Sequence, residues 1–237
     1  METLKQNKKI LMIRRGFTVG LPIMIGYLPI ALAYGVLAKQ AGLSLLEVTL
    51  MSVMVFAGAS QFMGANMIAV SASAVEIIVA TFVLNFRHFI MSLSFMNLLR
   101  PLGLNVKVPL ALGLTDESFA VSSLHPEKAK EKNGVLFYLT IFITAYISWI
   151  AGSFLGGLIG DIIPNQLSQS MGIALYAMFI GLLIPSVKKN LKVGLIALVA
   201  MLINVLFSQF MTDGWAIVFG TVLGGLSGLL FLRGKNE

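Results

Sequence analysis

A long apolar stretch, Val75 to Leu98, carries Asn85, Arg87 and His88 near its centre, and a second one carries Thr115, Asp116 and Glu117 at its midpoint. A charge at bilayer mid-depth costs about 2.5–3.5 kcal/mol even on the lenient insertion scale, so such residues persist where they face one another or a cavity. Of the charged side chains, Arg87, Asp116 and Glu117 are the ones set deep within apolar segments. The chain is thereby constrained to a membrane protein with an internal polar site.

Composition agrees. The 237 residues are 57% hydrophobic and 11% charged, against about 25% charged in a soluble domain. The apolar runs are near 20 residues long rather than alternating short strands, which predicts an all-α integral membrane protein and excludes a barrel. With the longest polar stretch only Leu124 to Asn133, residues 1–237 read as a single transmembrane domain. The net charge of +7 comes from Lys and Arg at segment ends, a positive-inside pattern rather than a nucleic-acid surface. No cysteine is present, which removes disulfides, thiol catalysis and cysteine metal sites. No phosphate loop, His-Glu-x-x-His or Gly-x-Ser-x-Gly occurs, so no enzyme, cofactor or metal centre is expected.

About eight hydrophobic segments can be marked, at 16–38, 46–72, 75–98, 108–123, 135–159, 167–186, 191–211 and 214–232. The basic N-terminus (Lys5, Lys8, Lys9, Arg14, Arg15) resembles a signal-peptide start, but the following run is too long, and a retained first helix is expected. Pro22 and Pro29 predict a kink or unwound turn there. A break is expected in the second segment at Gly58-Ala59-Ser60-Gln61 and Gly64, and the fourth is short and polar-centred.

Loop charges place the basic N-terminus, Lys128/Lys130/Lys132, Lys188/Lys189/Lys192 and Arg233/Lys235 in the cytoplasm, and the loops of Asp161 and Asp213 outside. Within a range of seven to eight spans, eight with both termini inside satisfy these placements but leave Arg100 and Lys107 outside. Six spans with segments two and four as re-entrant hairpins bring them back. An internal repeat pulls toward eight: Leu43-Ser44 is echoed by Leu167-Ser168, Phe56-x-Gly58 by Phe179-x-Gly181, and Leu84-Asn85 by Ile203-Asn204. It suggests a 4+4 parallel arrangement with broken helices, halves 16–123 and 135–232, as secondary transporters use.

Asn85, His88, Phe89 and Ser92 share a helix face at spacings of three and four, with Arg87 pointing elsewhere. Arg87 is expected to pair across helices with Asp116 or Glu117, which point about 100° apart on a helix. The carboxyl left over would carry a proton, and the residues do not say which one that is. Asp116 serving only as an N-cap, and the whole constellation serving only as a structural ion pair, are the competing readings. An unwound Gly58-Ala59-Ser60-Gln61-Phe62 would expose backbone N–H and C=O to a zwitterion; equally, its small residues would permit close packing. Trp149, Trp215, Tyr138 and Tyr146 read as interface anchors. Gly152, Gly156, Gly157 and Gly160, with Gly220, Gly224 and Gly228, read as helix-packing seams, within the protein or against a partner.

Gly16-Phe-x-x-Gly20-Leu-Pro22, Ala41-Gly42-Leu43-Ser44, Phe56-Ala-Gly58-Ala-Ser60-Gln61-Phe62, Asn85-Phe-Arg87-His88 and Thr115-Asp116-Glu117 together resemble the AzlC family. Phe86 stands where that family commonly has leucine. The resemblance implies the large subunit of a bacterial exporter of branched-chain amino acids (Leu, Ile, Val, with Met a further candidate). Such a carrier is multi-pass in the cytoplasmic (inner) membrane, has both termini inside, is driven by protons and works with a small AzlD-type membrane subunit. The glycine seams of segments five and eight are the expected docking place of that subunit. Gly58, Ala59, Ser60, Gln61, Phe62, Asn85 and His88 would then bind substrate, while Arg87, Asp116 and Glu117 serve proton coupling or ion pairing. The alternative is a channel or a non-transporting assembly scaffold.

Overall fold

The computed structural model describes residues 2–99 and 102–232, without the side chains of residues 2–7, 165, 168, 169, 172, 174, 175, 178, 182, 231 and 232. Arg100, Arg233 and Lys235, and the side chain of Lys5, used above to orient the loops, lie outside the described residues. The described chain is helical: α1 (Glu2–Gln40), α2 (Leu45–Met54), α3 (Gly58–Ala69), α4 (Ala74–Leu98), α5 (Leu104–Leu112), α6 (Asp116–Ser123), a 3-10 turn (Pro126–Lys130), α7 (Gly134–Ile159), α8 (Asn165–Lys189), α9 (Leu191–Phe207) and α10 (Asp213–Leu232). Among the described residues, four helices are long and apolar enough to cross a membrane: Lys8–Gln40, Ala74–Leu98, Gly134–Ile159 and Asp213–Leu230.

The most extensive helix contact is α1 along α7. Gly152 and Gly156 of α7 lie against Leu28, Leu32 and Gly35 of α1, and Gly16 of α1 lies against Phe137 and Thr140. Small residues let the two backbones touch where a membrane offers no hydrophobic drive between helices. Gly220, Gly224 and Gly228 of α10 pack in the same way on Asn204, Ala200 and Ile196 of α9. Both glycine seams are therefore filled by the chain itself, which corrects the expectation that they dock a partner. α1 runs unbroken through Pro22 and Pro29, so no unwound turn forms there. The Ser148 hydroxyl of α7 donates to the Met24 carbonyl at 2.8 Å, which ties α7 to α1 between the two prolines.

The broken segments double back. Gln61 donates to Ser52 at 3.0 Å and Gly64 lies near Met51, although nine residues of straight helix would span about 13.5 Å. The bend lies at Val55–Ala57, where Phe56 takes a left-handed conformation (φ 42°), so Gly58–Gln61 form the first turn of α3 instead of the unwound stretch expected. Ile68, near the end of α3, shares a cavity wall with Ala41–Leu43, so the α2–α3 hairpin returns to the C-terminal end of α1. The α5–α6 hairpin enters from the opposite end. Its tip reaches Tyr27 in the middle of α1. Its arms begin and end beside the start of α7, where Phe95 at the end of α4 meets Tyr138 edge-on and Tyr138 donates to the His125 carbonyl at 2.7 Å.

Breaks of this kind do not recur in the second half. The stretch expected to match segment two, around Phe179-x-Gly181, is a single uninterrupted helix, α8. The likeness of the halves is one of short residue pairs and does not extend to the helix breaks.

Candidate functional site

The two hairpin tips meet at the middle of α4. No side chain caps α3, whose first intrahelical bond runs from Gln61 N–H to the Ala57 carbonyl. The N–H groups of Gly58, Ala59 and Ser60 precede that bond and belong to the unpaired first turn. Trp149 holds this tip in place. A Cβ on Gly58 would meet its ring at 2.5 Å, and its Nε1 donates to Gln61 Oε1 at 2.9 Å.

The second tip is capped by Thr115, not by Asp116. The Thr115 hydroxyl accepts from Ser118 N–H at 3.2 Å, and Ser118 Oγ accepts from Thr115 N–H at 2.7 Å. Asp116 and Glu117 follow in the first turn of α6, where the helix dipole favours carboxylates. Asp116 Oδ2 lies 2.9 Å from Arg87 Nη1. Glu117 turns away and accepts from the Tyr27 hydroxyl, which also lies 2.7 Å from Thr115 Oγ1. Two adjacent carboxyls thus acquire different partners, one a cation and one a phenol. Arg87 carries the Phe179 ring 5.5 Å from its guanidinium carbon, and its buried Nε has no hydrogen-bond partner among the described residues.

A small pocket results, lined by Gly58 and Ala59 from one tip, Thr115, Asp116 and Glu117 from the other, and Arg87 with His88 from α4. Tyr27 and Trp149 close its sides. It encloses about 20 Å³, room for about one water.

Of the residues expected at the site, Gly58, Ala59, Arg87, His88, Asp116 and Glu117 come together and four do not line the pocket. Ser60 donates to Asn85 Oδ1 at 2.6 Å, tying α3 to α4. Gln61 is fully buried between Ser52 and Trp149. Phe62 packs edge-on to Tyr34. Successive helix residues turn by about 100°, so only the start of α3 can face the tip of α6, and Asn85 turns toward Ser60 while His88 enters the pocket. Tyr27 and Trp149 had no distinguishing signal in the sequence. Trp149 is 2% exposed and Tyr138 fully buried; both are core residues rather than interface anchors. Tyr146 packs on Phe56 and donates to the Val53 carbonyl.

The family model described as AzlC protein matches residues 22–163. The chain belongs to the AzlC family. Every pocket-lining residue of this AzlC chain falls inside the matched range, which runs from Pro22 in α1 past the end of α7. It is 35% identical over 182 residues to an uncharacterized membrane protein of Archaeoglobus fulgidus, covering 76% of this chain and 78% of the relative. It is 28% identical over 215 residues to the branched-chain amino acid transport protein AzlC of Bacillus subtilis, covering 88% and 83%. It is likewise 28% identical over 215 residues to the inner membrane protein YgaZ of Escherichia coli, covering 89% and 86%. No solved structure matches. Relatives named as membrane proteins, together with four long apolar helices among the described residues, make this AzlC chain a multi-pass membrane protein.

Proposed function

We propose that the chain is the large subunit of a secondary carrier that exports leucine, isoleucine and valine, with methionine a further cargo, across the bacterial cytoplasmic membrane in exchange for protons. A small AzlD-type subunit completes the carrier. The observation that carries this reading is the meeting of two helix starts, entering from opposite ends, on an arginine with unused donor capacity. Helix N-termini and arginine are the groups that hold a substrate carboxylate, and discontinuous helices at mid-depth recur in such carriers. The Bacillus subtilis relative, named a branched-chain amino acid transport protein, supports the amino-acid cargo.

Glu117 is the proton carrier in this reading. Its partner is the Tyr27 hydroxyl, so it can take up and lose a proton without opening the Arg87–Asp116 pair. One proton moving down 100 mV supplies about 2.3 kcal/mol, enough for a modest gradient of one amino acid. Wild-type complex in liposomes is expected to show leucine efflux that an uncoupler abolishes. Glu117→Gln is expected to keep leucine exchange and lose proton-driven accumulation. Efflux that ignores the proton gradient and follows ATP would overturn the reading.

The hairpins enter from opposite sides, so six spans with two re-entrant hairpins and cytoplasmic termini fit best. The start of α5 then lies on the cytoplasmic side. A cysteine at Lys107 in this cysteine-free chain is expected to resist an impermeant thiol reagent in intact cells and to react after permeabilisation. Reaction in intact cells would require segment two to cross the membrane.

A further inference from the structure

We propose that the side chain of the transported amino acid occupies a separate cavity between α3, α4, α8, α9 and α10, next to the Arg87 pocket and not inside it. This rests on the amino-acid transport reading. The Arg87 pocket encloses only about 20 Å³, a water's worth of space, and its walls are bonded to one another. The neighbouring cavity holds about 420 Å³, within the range of about 300–1,000 Å³ usual for small-molecule sites.

The two cavities share Ala59 in their walls. Phe179 lines the larger one and lies over the Arg87 guanidinium, so one ring separates them. The larger cavity in turn shares Met67, Val70 and Asp213 with a third, of about 470 Å³, formed by the loops at 70–73 and 211–213. Ala59, Met63, Asn66, Met67 and Val70 recur at helical spacings of three and four, with 66 and 67 adjacent, so a single face of α3 lines the track. It leads from the Arg87 pocket to the loops at the C-terminal end of α1.

The chemistry of the lining suits a branched zwitterion. Met63, Leu84 and Ile217 offer apolar surface, while Asn66, Asn204 and Asp213 supply amides and one carboxylate. Neither amide side chain bonds another described residue. An aliphatic cargo would lay its side chain on the former, with its ammonium on Asp213 and its carboxylate, borne by the same carbon, on the Asn66 amide. Apolar lining with few convergent polar groups is the usual form of such a site. Asn204 packs its Cβ on Gly220 across the seam, and its amide is the part that the cavity would use.

The lack of native cysteine allows a direct test. Single variants Met63→Cys and Ile217→Cys, with Asp161→Cys in the exposed polar turn after α7 as control, are reconstituted as the full complex and treated with a methanethiosulfonate. Leucine at about ten times its Kd is expected to slow modification at positions 63 and 217 by about tenfold and to leave position 161 unchanged. Unchanged rates at 63 and 217, in a wild-type complex that does transport leucine, would overturn the cavity assignment alone. So would modification only by a lipid-soluble maleimide, which would mark a lipid-filled crevice. A wild-type complex that neither binds nor moves leucine would overturn the transport reading and this inference with it. Should Met63→Cys fail to assemble, Ile217→Cys carries the decision from another helix.

Discussion

Arg87→Leu is expected to cost about 3–5 kcal/mol of stability, because it leaves the Asp116 carboxylate partly buried without its cation. Arg87→Leu combined with Asp116→Leu should recover most of that loss, since replacing both members of a buried pair by apolar residues is often neutral. Neither variant is expected to move leucine. Thermal unfolding of the purified complex in detergent gives the first quantity, and liposome efflux the second. The contrast separates a carrier from an assembly scaffold. A double variant that refolds and still exports leucine would reduce the pair to a structural device. A single variant as stable as wild type would mean that Asp116 finds another partner or is already neutral.

Gly156→Leu is expected to have a large effect on folding. A Cβ there would run into the Leu32 carbonyl and lie 3.0 Å from Gly35 Cα. Both are backbone atoms of α1 and cannot swing aside as a side chain would. Overpacking of a well-packed site costs about 1–3 kcal/mol, and separating the principal helix pair is expected to reach or exceed the upper end. The hairpin tips would separate too, because Trp149, which seats Gly58, rides on the same helix. Gly225→Ala is the control: nothing lies within 4 Å of a Cβ at that position of α10. Alanine there should be neutral or stabilising by up to about 1 kcal/mol through helix propensity. Expression level and the monodisperse fraction on size exclusion measure both. Wild-type behaviour of Gly156→Leu would mean that the α1–α7 seam is not held by backbone contact.

Much of the site is legible in the sequence. The expense of a charge in apolar surroundings singled out Arg87, Asp116 and Glu117, and the angle between adjacent helix residues predicted that one carboxyl alone would meet Arg87. Asp116 does so, and Glu117 meets Tyr27. The break near Gly58 was placed three residues late, because the glycine marks the close approach of Trp149 and the turn is made by Phe56, a residue with no turn signature. Ser60, Gln61 and Asn85 read as ligand groups in the sequence, whereas Ser60 bonds Asn85 Oδ1 and Gln61 bonds Ser52 and Trp149. A polar residue in a membrane helix announces that it needs a partner; its partner's identity is written elsewhere in the chain.

By itself, then, the sequence determined the membrane class, the helical segments, the presence of two interrupted ones, and the charges that make the site, since each depends on local composition and on the cost of burying a polar group. Only the tertiary structure decided which way the interrupted segments turn, which of the small and polar residues line the pocket, that α1 and α7 close the glycine seam, and that a larger cavity lies behind Phe179. Those outcomes depend on contacts between residues far apart in the chain, such as Gly58 with Trp149 and Tyr27 with Glu117. No periodicity within one segment encodes the neighbour that another segment brings to it.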